Sequence, residues 1–148
     1  MQIDWEIKHF NSLSTKELHD ILKLRVDVFV IEQNCPYPEV DGLDPFSFHV
    51  LCKNNTNQLI GTARIIPPTK LYAEYSIGRI VIQEEFRRKS LGRQLLQYTI
   101  AFLEKELGAD SIRIAALKYL EDFYKSFNFK SIREYSEWDY AYVEMLRN

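Results

Sequence analysis

The segment that most constrains the fold is a strand-like run that leads through a short basic loop into a long amphipathic helix. The run covers residues 77–82, and the loop five residues further on reads Arg-Arg-Lys-Ser-Leu-Gly-Arg over 87–93. A helix that begins at such a loop has unpaired backbone N–H groups at its N-terminus, where its dipole also favours negative charge. Four cationic side chains lie in the same loop. The segment therefore predicts a site for the phosphate groups of a ligand.

Two common phosphate-binding motifs are excluded for this loop. No Gly-Lys-Ser/Thr follows at the spacing of a P-loop, and the clustered glycines of a dinucleotide-binding fingerprint are absent. A simpler interpretation stays open for the loop alone, namely a buried strand, a solvated basic turn and an ordinary surface helix. The loop by itself thus indicates an anion site without identifying the ligand.

The composition is that of a globular protein with one hydrophobic core. The chain has 148 residues, of which 46% are hydrophobic and 27% are charged, and this fits a single domain over 1–148. The formal net charge of -2 argues against a nucleic-acid partner, because dedicated nucleic-acid binders are usually basic. No signal peptide and no bilayer-spanning run are evident. We therefore expect a cytoplasmic protein without a membrane partner.

The two cysteines, Cys35 and Cys52, lack the spacing of metal ligands. In a cytoplasmic protein they are expected to be free thiols rather than a disulfide. A reactive role for Cys35, which falls in a loop, is the alternative to a structural one. No metal site is predicted.

The hydrophobic pattern predicts strands and helices that form one mixed sheet. Alternating side chains over 3–8 indicate a half-buried strand, and Ser14 with Glu17 forms a capping box for a helix that ends near Glu32. Residues 33–45 are rich in Pro, Gly and Asp and predict a long ordered loop. Further strands are predicted over 48–53, 59–66, 74–82, 111–116 (continuously buried), 129–135 and 140–146, and helices over 91–107 and 119–127. This order predicts an α/β (α+β) fold with a mixed central sheet and helices on both faces.

Two motifs together resemble those of the GNAT acetyltransferases. Residues 87–92 are similar to the R-x-x-G-x-G pyrophosphate loop of that family, with Ser90 in place of the first glycine. Residues 120–129 resemble its FYxxxGF helix and turn, with Asn128 in place of the glycine. Asparagine also tolerates the left-handed backbone that such a position favours.

The first half of the chain resembles the ElaA-type branch of this superfamily. The similarity covers residues 24–37 and the spaced acidic positions over 41–44, and Ile77-Gly78-Arg79 fits the branch as well. The branch itself departs from R-x-x-G-x-G at the first glycine, which accounts for Ser90. A histidine near the C-terminus of the branch is replaced by Tyr142, so no role of that histidine carries over.

The resemblance implies a cleft for acetyl-coenzyme A between two splayed parallel strands, here 77–82 and 111–116. It implies direct transfer of the acetyl group to a primary amine, without a covalent enzyme intermediate and without a metal. A backbone N–H of the first strand would stabilise negative charge on the thioester carbonyl, although the same run is also core strand. The residues implied to bind the coenzyme are Ile80, Val81, Ile82, Arg87, Arg88, Lys89, Ser90, Leu91, Gly92, Arg93, Phe123 and Tyr124.

Tyr124 corresponds to the family tyrosine whose hydroxyl faces the coenzyme sulfur. The resemblance therefore implies that Tyr124 is the general acid that protonates the departing thiolate. A phenol with a pKa near ~10 can donate a proton to such a group. The structural alternative is a tyrosine at the edge of the core whose hydroxyl is bonded within the protein.

Four candidates remain for the general base: Glu32, Glu74, His49 and a chain of water molecules. Arg25 and Glu32 lie seven residues apart on one predicted helix and so share a face. With Arg79, they are predicted to form a polar cluster under the acceptor site, which makes Glu32 a candidate base and all three candidate substrate-binding residues. A structural network of ion pairs is the role that we favour for the cluster.

Three functions compete at this stage. The leading hypothesis is an N-acetyltransferase that acts on a small-molecule or peptide amine, and the second is a non-catalytic module that binds acetyl-coenzyme A. A nucleic-acid module is disfavoured because no aromatic and basic platform is evident. The acidic residues over 39–44 either attract a cationic acceptor or, as we favour here, form a solvated turn. A homodimer through the C-terminal strands is compatible with the sequence.

Overall fold

A seven-stranded mixed sheet forms the centre of the structure, a computed structural model that describes residues 2–148. The strands are β1 (Asp4–His9), β2 (Phe48–Lys53), β3 (Leu59–Ile66), β4 (Tyr75–Ile82), β5 (Ile112–Leu117), β6 (Lys130–Glu137) and β7 (Tyr140–Arg147). The helices are α1 (Thr15–Arg25), which runs on as a π-helical segment (Val26–Glu32), α2 (Leu91–Lys105) and α3 (Glu121–Lys125). The strand order is β1-β2-β3-β4-β5-β7-β6. Only β4 and β5 are paired in parallel among the described strands.

Helices cover both faces of the sheet, as the sequence predicts. On one face Leu95 and Leu96 of α2 pack in the same cluster as Ile60 of β3. On the other face Ile21 of α1 packs with Leu59 of β3. Because adjacent residues of a strand point to opposite faces, β3 contributes to both halves of the core. Each such buried side chain stabilises the fold by about 1.5–3 kcal/mol.

The first helix begins as the sequence predicts. The Ser14 hydroxyl accepts from the Glu17 N–H at 3.0 Å, and the Glu17 carboxylate accepts from the Ser14 N–H at 2.9 Å. The helical segment also ends at Glu32 as expected, but residues 26–32 form π-helical rather than α-helical turns. Such turns are rare and are often found at functional sites.

The prediction of a continuously buried strand over 111–116 is wrong. Within 112–117 the buried positions alternate, and Ala115 is exposed. The reason is that Arg113 lies on the opposite face, where it donates to Glu74 at 2.9 Å and to Glu144 at 2.7 Å. A strand with an ion pair on one face buries only its other face in the core.

The parallel strands β4 and β5 separate shortly after they begin. They pair at Tyr75 with Ile112 and at Ser76 with Arg113, and no further pairing follows. From Ile77 onwards the edge of β4 that faces β5 therefore has no strand partner. This gap is the splay that the resemblance implies.

A β-bulge in β4 accounts for the separation. Thr62 of β3 pairs with Val81 of β4, and Arg64 pairs with Gly78. An advance of two residues along β3 therefore corresponds to three residues along β4. The bulged strand thus carries one extra residue, and Arg79 within it has a left-handed φ of 51°. Such a bulge bends its strand and increases the local twist, which turns β4 away from β5.

The last hairpin forms the outer edge of the sheet. β6 is largely exposed, and Ile132 on it is 51% exposed. Dimerisation through these strands stays a prediction. No helix among residues 2–148 has the length and apolar character needed to cross a bilayer.

Candidate active site

The gap between β4 and β5 opens into a cavity of about 140 Å³. One wall is β4 from Ile77 to Ile80, and the other is β5 from Ile114 to Leu117, followed by Leu120 and Tyr124. The remaining lining comes from the segment after α1 and from the last hairpin: Phe29, Gln33, Cys35, Tyr37, Trp138 and Tyr142. Of the coenzyme-binding residues predicted from the strand and from the FYxxxGF motif, Ile80 and Tyr124 line this cavity, whereas Val81, Ile82 and Phe123 do not.

The basic loop has the backbone of a phosphate-binding concavity. Arg88 and Ser90 both have left-handed φ values, 64° and 61°, and α2 begins at Leu91. A left-handed residue next to a right-handed one, as Ser90 is next to the start of α2, turns successive N–H groups toward one side. Ser90 adopts the geometry that glycine normally supplies, and its side chain does not cap the helix. The N–H groups at the start of α2 are therefore not occupied by the Ser90 hydroxyl.

Gly92 lies in the first turn of α2 beside this concavity. A Cβ added at Gly92 would meet no protein atom within 4 Å. The fold thus does not require glycine at this position, and glycine is a poor helix former. Space for close approach of a ligand to the backbone is the remaining physical reason for a glycine. The loop therefore fits a pyrophosphate.

The cations of the loop have different partners. Arg87 donates to the Ile82 carbonyl at 2.8 Å and forms two hydrogen bonds, 2.7 and 3.0 Å, with the Glu32 carboxylate. It ties the loop to the end of β4 and is not free to bind phosphate. Arg88 and Lys89 are exposed and have no carboxylate partner within residues 2–148. These two side chains are the ones available to a bound anion.

Arg93 and Phe123 lie at the far side of the loop. Arg93 donates to the Ser126 hydroxyl at 3.1 Å, and its guanidinium lies 4.8 Å from the centre of the Phe127 ring and 5.4 Å from that of Phe123. These contacts join the start of α2 to α3. The predicted coenzyme residues Val81 and Ile82 are buried in the two core clusters, so that only their backbone groups are available to a ligand.

The predicted cluster of Arg25, Glu32 and Arg79 does not form. Glu32 pairs with Arg87 instead, and this hydrogen-bonded guanidinium lowers the pKa of the Glu32 carboxyl. The physical reason lies in the π-helical turns after Arg25. A wider turn changes the angle between positions 25 and 32, so they no longer share a face as they would in an α-helix.

Glu39 takes the place predicted for Glu32. Its carboxylate oxygen Oε2 accepts from Arg25 Nε and from Arg79 Nε, both at 2.7 Å, and Arg25 also donates to Asp44 at 2.7 Å. Arg25 is 1% exposed, while Glu39 and Asp44 are each 4% exposed. The loop over 33–45 is therefore fixed to α1 and to the β4 bulge by a buried network.

The expectation of a solvated acidic turn over 39–44 is wrong as well. Arg64 donates to Asp41 at 2.8 Å and to Asp44 at 3.1 Å, so that three arginines neutralise three carboxylates. Burial alone would raise the pKa of Asp41, but hydrogen bonds from Arg64 and from the Leu43 N–H lower it to about 2. Its ion pair stabilises the loop above about pH 4 and is lost only as the pH falls from there to about 2.

Removing the arginine at the centre of this network should destabilise the protein strongly. In Arg25→Met, the buried carboxylates of Glu39 and Asp44 each lose one of their two arginine partners, and breaking a buried pair costs about 3–5 kcal/mol. We expect a loss of this size in the free energy of unfolding measured with urea. Lys23→Met is the matched control, since Lys23 pairs with Asp27 on the exposed side of the same helix. Equal unfolding midpoints for the two variants would contradict the buried network.

Tyr124 is buried at the edge of the cleft without a hydrogen-bond partner. Its side chain is 7% exposed, and its ring packs edge-to-face against Phe123 and Phe129 at 5.2 and 5.9 Å. Within residues 2–148 its hydroxyl makes no hydrogen bond, and it is not among the fully buried unpaired side-chain atoms. Burial raises the pKa of Tyr124. The hydroxyl is therefore free for a ligand and keeps its proton at neutral pH.

None of the three side chains considered as a general base lines the cavity. Glu74 is held by two hydrogen bonds of 2.9 Å from Arg113, which lower its pKa. His49 is buried, with Nε2 3.1 Å from the Asp44 carbonyl oxygen, and burial lowers its pKa. In the described part of the chain the lining contains no Asp, Glu or His. None of these three side chains is therefore placed to accept a proton inside the cavity.

Several lining residues are not predicted from the sequence. Tyr37 lies in the long loop predicted over 33–45, but nothing in the sequence around it indicates that its side chain lines the cleft. Trp138 lies at the tip of the last hairpin, where the sequence predicts the two strands but not a side chain in the cleft. Tyr142, which stands where the ElaA-type branch has a histidine, does line the cavity. Cys35 is buried and free, as is Cys52, and burial raises the pKa of Cys52 to about 12.

Comparison with known proteins agrees with this geometry. Residues 17–131 match the acetyltransferase (GNAT) family. The chain belongs to the GNAT acetyltransferase family. Protein ElaA of Escherichia coli is 34% identical over 139 residues, which cover 93% of this chain and 90% of ElaA. A UPF0039 protein of Synechocystis is 33% identical over 147 residues, 99% of this chain and 96% of that protein.

Solved structures of this family superpose on almost the whole chain. The crystal structure of E. coli ElaA has a TM-score of 0.93 at 33% identity, over 99% of this chain and 100% of that one. An acyl-CoA N-acyltransferase from Pseudomonas aeruginosa has a TM-score of 0.94 at 34% identity with the same coverage. The predicted GNAT fold and the similarity to the ElaA-type branch are confirmed.

Proposed function

We propose that this GNAT protein is an acetyl-coenzyme A-dependent N-acetyltransferase that transfers the acetyl group directly to a primary amine. The observation that carries the proposal is the cleft between β4 and β5, where Tyr124, whose hydroxyl has no partner, lines the same cavity as the unpaired edge of β4. The similarity to an acyl-CoA N-acyltransferase supports the same reaction class. The acceptor is a small molecule or a peptide. The free, buried cysteines agree with a cytoplasmic protein.

The residues present fit acetyl-coenzyme A along the length of the cleft. The N–H groups of residues 88–92 and the start of α2 would hold the pyrophosphate, with Arg88 and Lys89 supplying charge. The free edge of β4 over 77–82 would bind the pantetheine arm as an added strand would be bound. The bound coenzyme supplies an activated acetyl thioester.

The chain's own groups then serve three tasks in the transfer. A backbone N–H of residues 80–82 stabilises negative charge on the thioester oxygen. As the amine nitrogen bonds to the acetyl carbon, the carbon–sulfur bond breaks and Tyr124 gives its proton to the departing thiolate. Water takes the proton that the amine loses and returns one to Tyr124. No carboxylate among the described lining residues can hold an ammonium ion in the cavity, so the acceptor binds as the free amine.

This arrangement predicts an unusual pH dependence. The value of kcat/KM should rise with pH and level off at the pKa of the free acceptor amine, because no base of the protein titrates in the cleft. Since the pKa of Tyr124 is raised, the acid stays protonated and no decline is expected below about pH 10. The measurement is the pH profile of thiol release with two amines of different pKa. A midpoint that stays near neutral pH for both amines would instead indicate a protein base.

A non-catalytic module that binds acetyl-coenzyme A is the second candidate. The cavity lining without a carboxylate or an imidazole favours it. Calorimetric titration with acetyl-coenzyme A and release of thiol in the presence of primary amines separate the two functions. Binding together with amine-dependent thiol release supports the enzyme, and binding alone supports the module.

A further inference from the structure

The turn at the tip of the last hairpin carries a tryptophan in a strained position. Trp138 and Asp139 connect β6 to β7, and both have left-handed φ values, 53° and 63°. Two-residue turns of this kind favour Asn-Gly, because a side chain in the left-handed region costs energy. Trp138 is also 50% exposed, so that core burial does not offset the strain. Strain of this kind at a cleft points to a function of the side chain.

The Trp138 side chain lines the cavity, although half of its surface is exposed. Its centre is 6.0 Å from that of Tyr37, which belongs to the loop on the other side of the cavity, and both rings line the cavity. Tyr37 is held in place, because its hydroxyl donates to Glu39 at 2.8 Å and the Arg79 guanidinium lies 5.4 Å from its ring centre. The hairpin and the loop therefore meet across the cleft through two aromatic side chains.

The lining of the cavity favours an aromatic ligand over a polycation. Phe29 and Tyr142 add two more aromatic rings to the lining, and its one charged side chain among the described residues is the cationic Arg79. The carboxylates of the nearby loop are neutralised by Arg25, Arg64 and Arg79. A polyamine would find no anionic group in this cavity, whereas an aromatic ring would find ring faces and edges of suitable geometry.

We propose that Tyr37 and Trp138 form an aromatic clamp that binds the acceptor and selects small arylalkyl primary amines. The amine would point from the clamp toward the thioester, and its ring would pack against the side of the contacting Tyr37 and Trp138 rings that lines the cavity. This inference rests on the proposed acetyl transfer and adds the chemical class of the acceptor. It also explains why a tryptophan occupies a turn position that asparagine or glycine would fill with less strain.

The test compares three variants with 2-phenylethylamine and spermidine as acceptors. In Trp138→Asn we expect KM for 2-phenylethylamine to rise roughly tenfold, as loss of an aromatic contact implies, while the dissociation constant of acetyl-coenzyme A stays unchanged. The thermal midpoint should stay equal or rise, because asparagine suits the turn. Trp138→Phe should restore most of the affinity. Phe46→Asn is the control, since Phe46 is 47% exposed and lies outside the cavity lining.

A fluorescence titration gives a readout that does not depend on turnover. The chain has two tryptophans, and 2-phenylethylamine added with coenzyme A should change the emission of the wild type but not that of Trp138→Phe. Equal kcat/KM for spermidine and 2-phenylethylamine, or an unchanged KM in Trp138→Asn, would overturn the clamp and leave the acetyltransferase standing. Absence of transfer to any primary amine would overturn both.

Discussion

Replacing Gly92 with valine is expected to weaken acetyl-coenzyme A binding at least ~100-fold while the protein stays folded. A Cβ added at this position meets no neighbouring atom within 4 Å, so the valine side chain extends into the space beside the backbone N–H groups of the loop. Displacing the pyrophosphate from two such hydrogen bonds, each worth about 1.5–3 kcal/mol for a charged partner, accounts for a loss of this size. Calorimetry measures the affinity.

The control for this variant is Gln97→Val, which places the same side chain at an exposed position of α2. Its affinity for acetyl-coenzyme A should equal that of the wild type. The free energy of unfolding of Gly92→Val should not fall, because valine is a better helix former than glycine. Unchanged affinity in a folded Gly92→Val protein would reject the loop as the pyrophosphate site.

Replacing Tyr124 with phenylalanine is expected to lower the turnover number by roughly ten- to ten-thousand-fold, the range of general-acid effects. The dissociation constant of acetyl-coenzyme A should hardly change, because the proton is needed mainly in the transition state. The fold should tolerate the change, since the hydroxyl has no hydrogen-bond partner in residues 2–148 and the ring contacts with Phe123 and Phe129 are kept. Steady-state kinetics and separate binding measurements test both expectations.

Tyr98→Phe is a suitable control for the loss of a tyrosine hydroxyl. Tyr98 donates to the Trp5 carbonyl at 3.3 Å and lies outside the cleft lining, so its variant should turn over at the wild-type rate. Wild-type turnover in Tyr124→Phe would exclude Tyr124 as the acid without affecting the family assignment. Weaker coenzyme binding with normal turnover at saturation would make Tyr124 a positioning residue.

Local signals in the sequence are sufficient for most of the fold. The predicted strands over 48–53 and 59–66 have the observed bounds, because strand periodicity and flanking turn residues act over a few residues. Gly108 and Asn128 have left-handed φ values of 63° and 69°, as their residue types at a helix end and a turn indicate. Ser90 also has a left-handed φ, 61°, so the loop keeps this backbone conformation with serine in place of the glycine of the R-x-x-G-x-G motif.

The candidate site is predicted only in part, because its ion pairs depend on long-range geometry. The spacing of Arg25 and Glu32 indicates a shared face only for a regular α-helix, and the π-helical turns have no signal in the sequence pattern. The partner of Arg25 is Glu39, fourteen residues away in a loop. Nothing in the local sequence of Trp138 indicates that its ring reaches Tyr37 across the cleft.

Identification of the reaction product is the most direct measurement of the proposed activity. Wild-type protein is incubated with acetyl-coenzyme A and a primary amine, and mass spectrometry follows the amine while a thiol assay follows the coenzyme. We predict one equivalent of N-acetylated amine for each equivalent of free thiol, with much slower formation of both by Tyr124→Phe. Tight binding of acetyl-coenzyme A without any acetylated amine would contradict the acetyltransferase and leave a coenzyme-binding module.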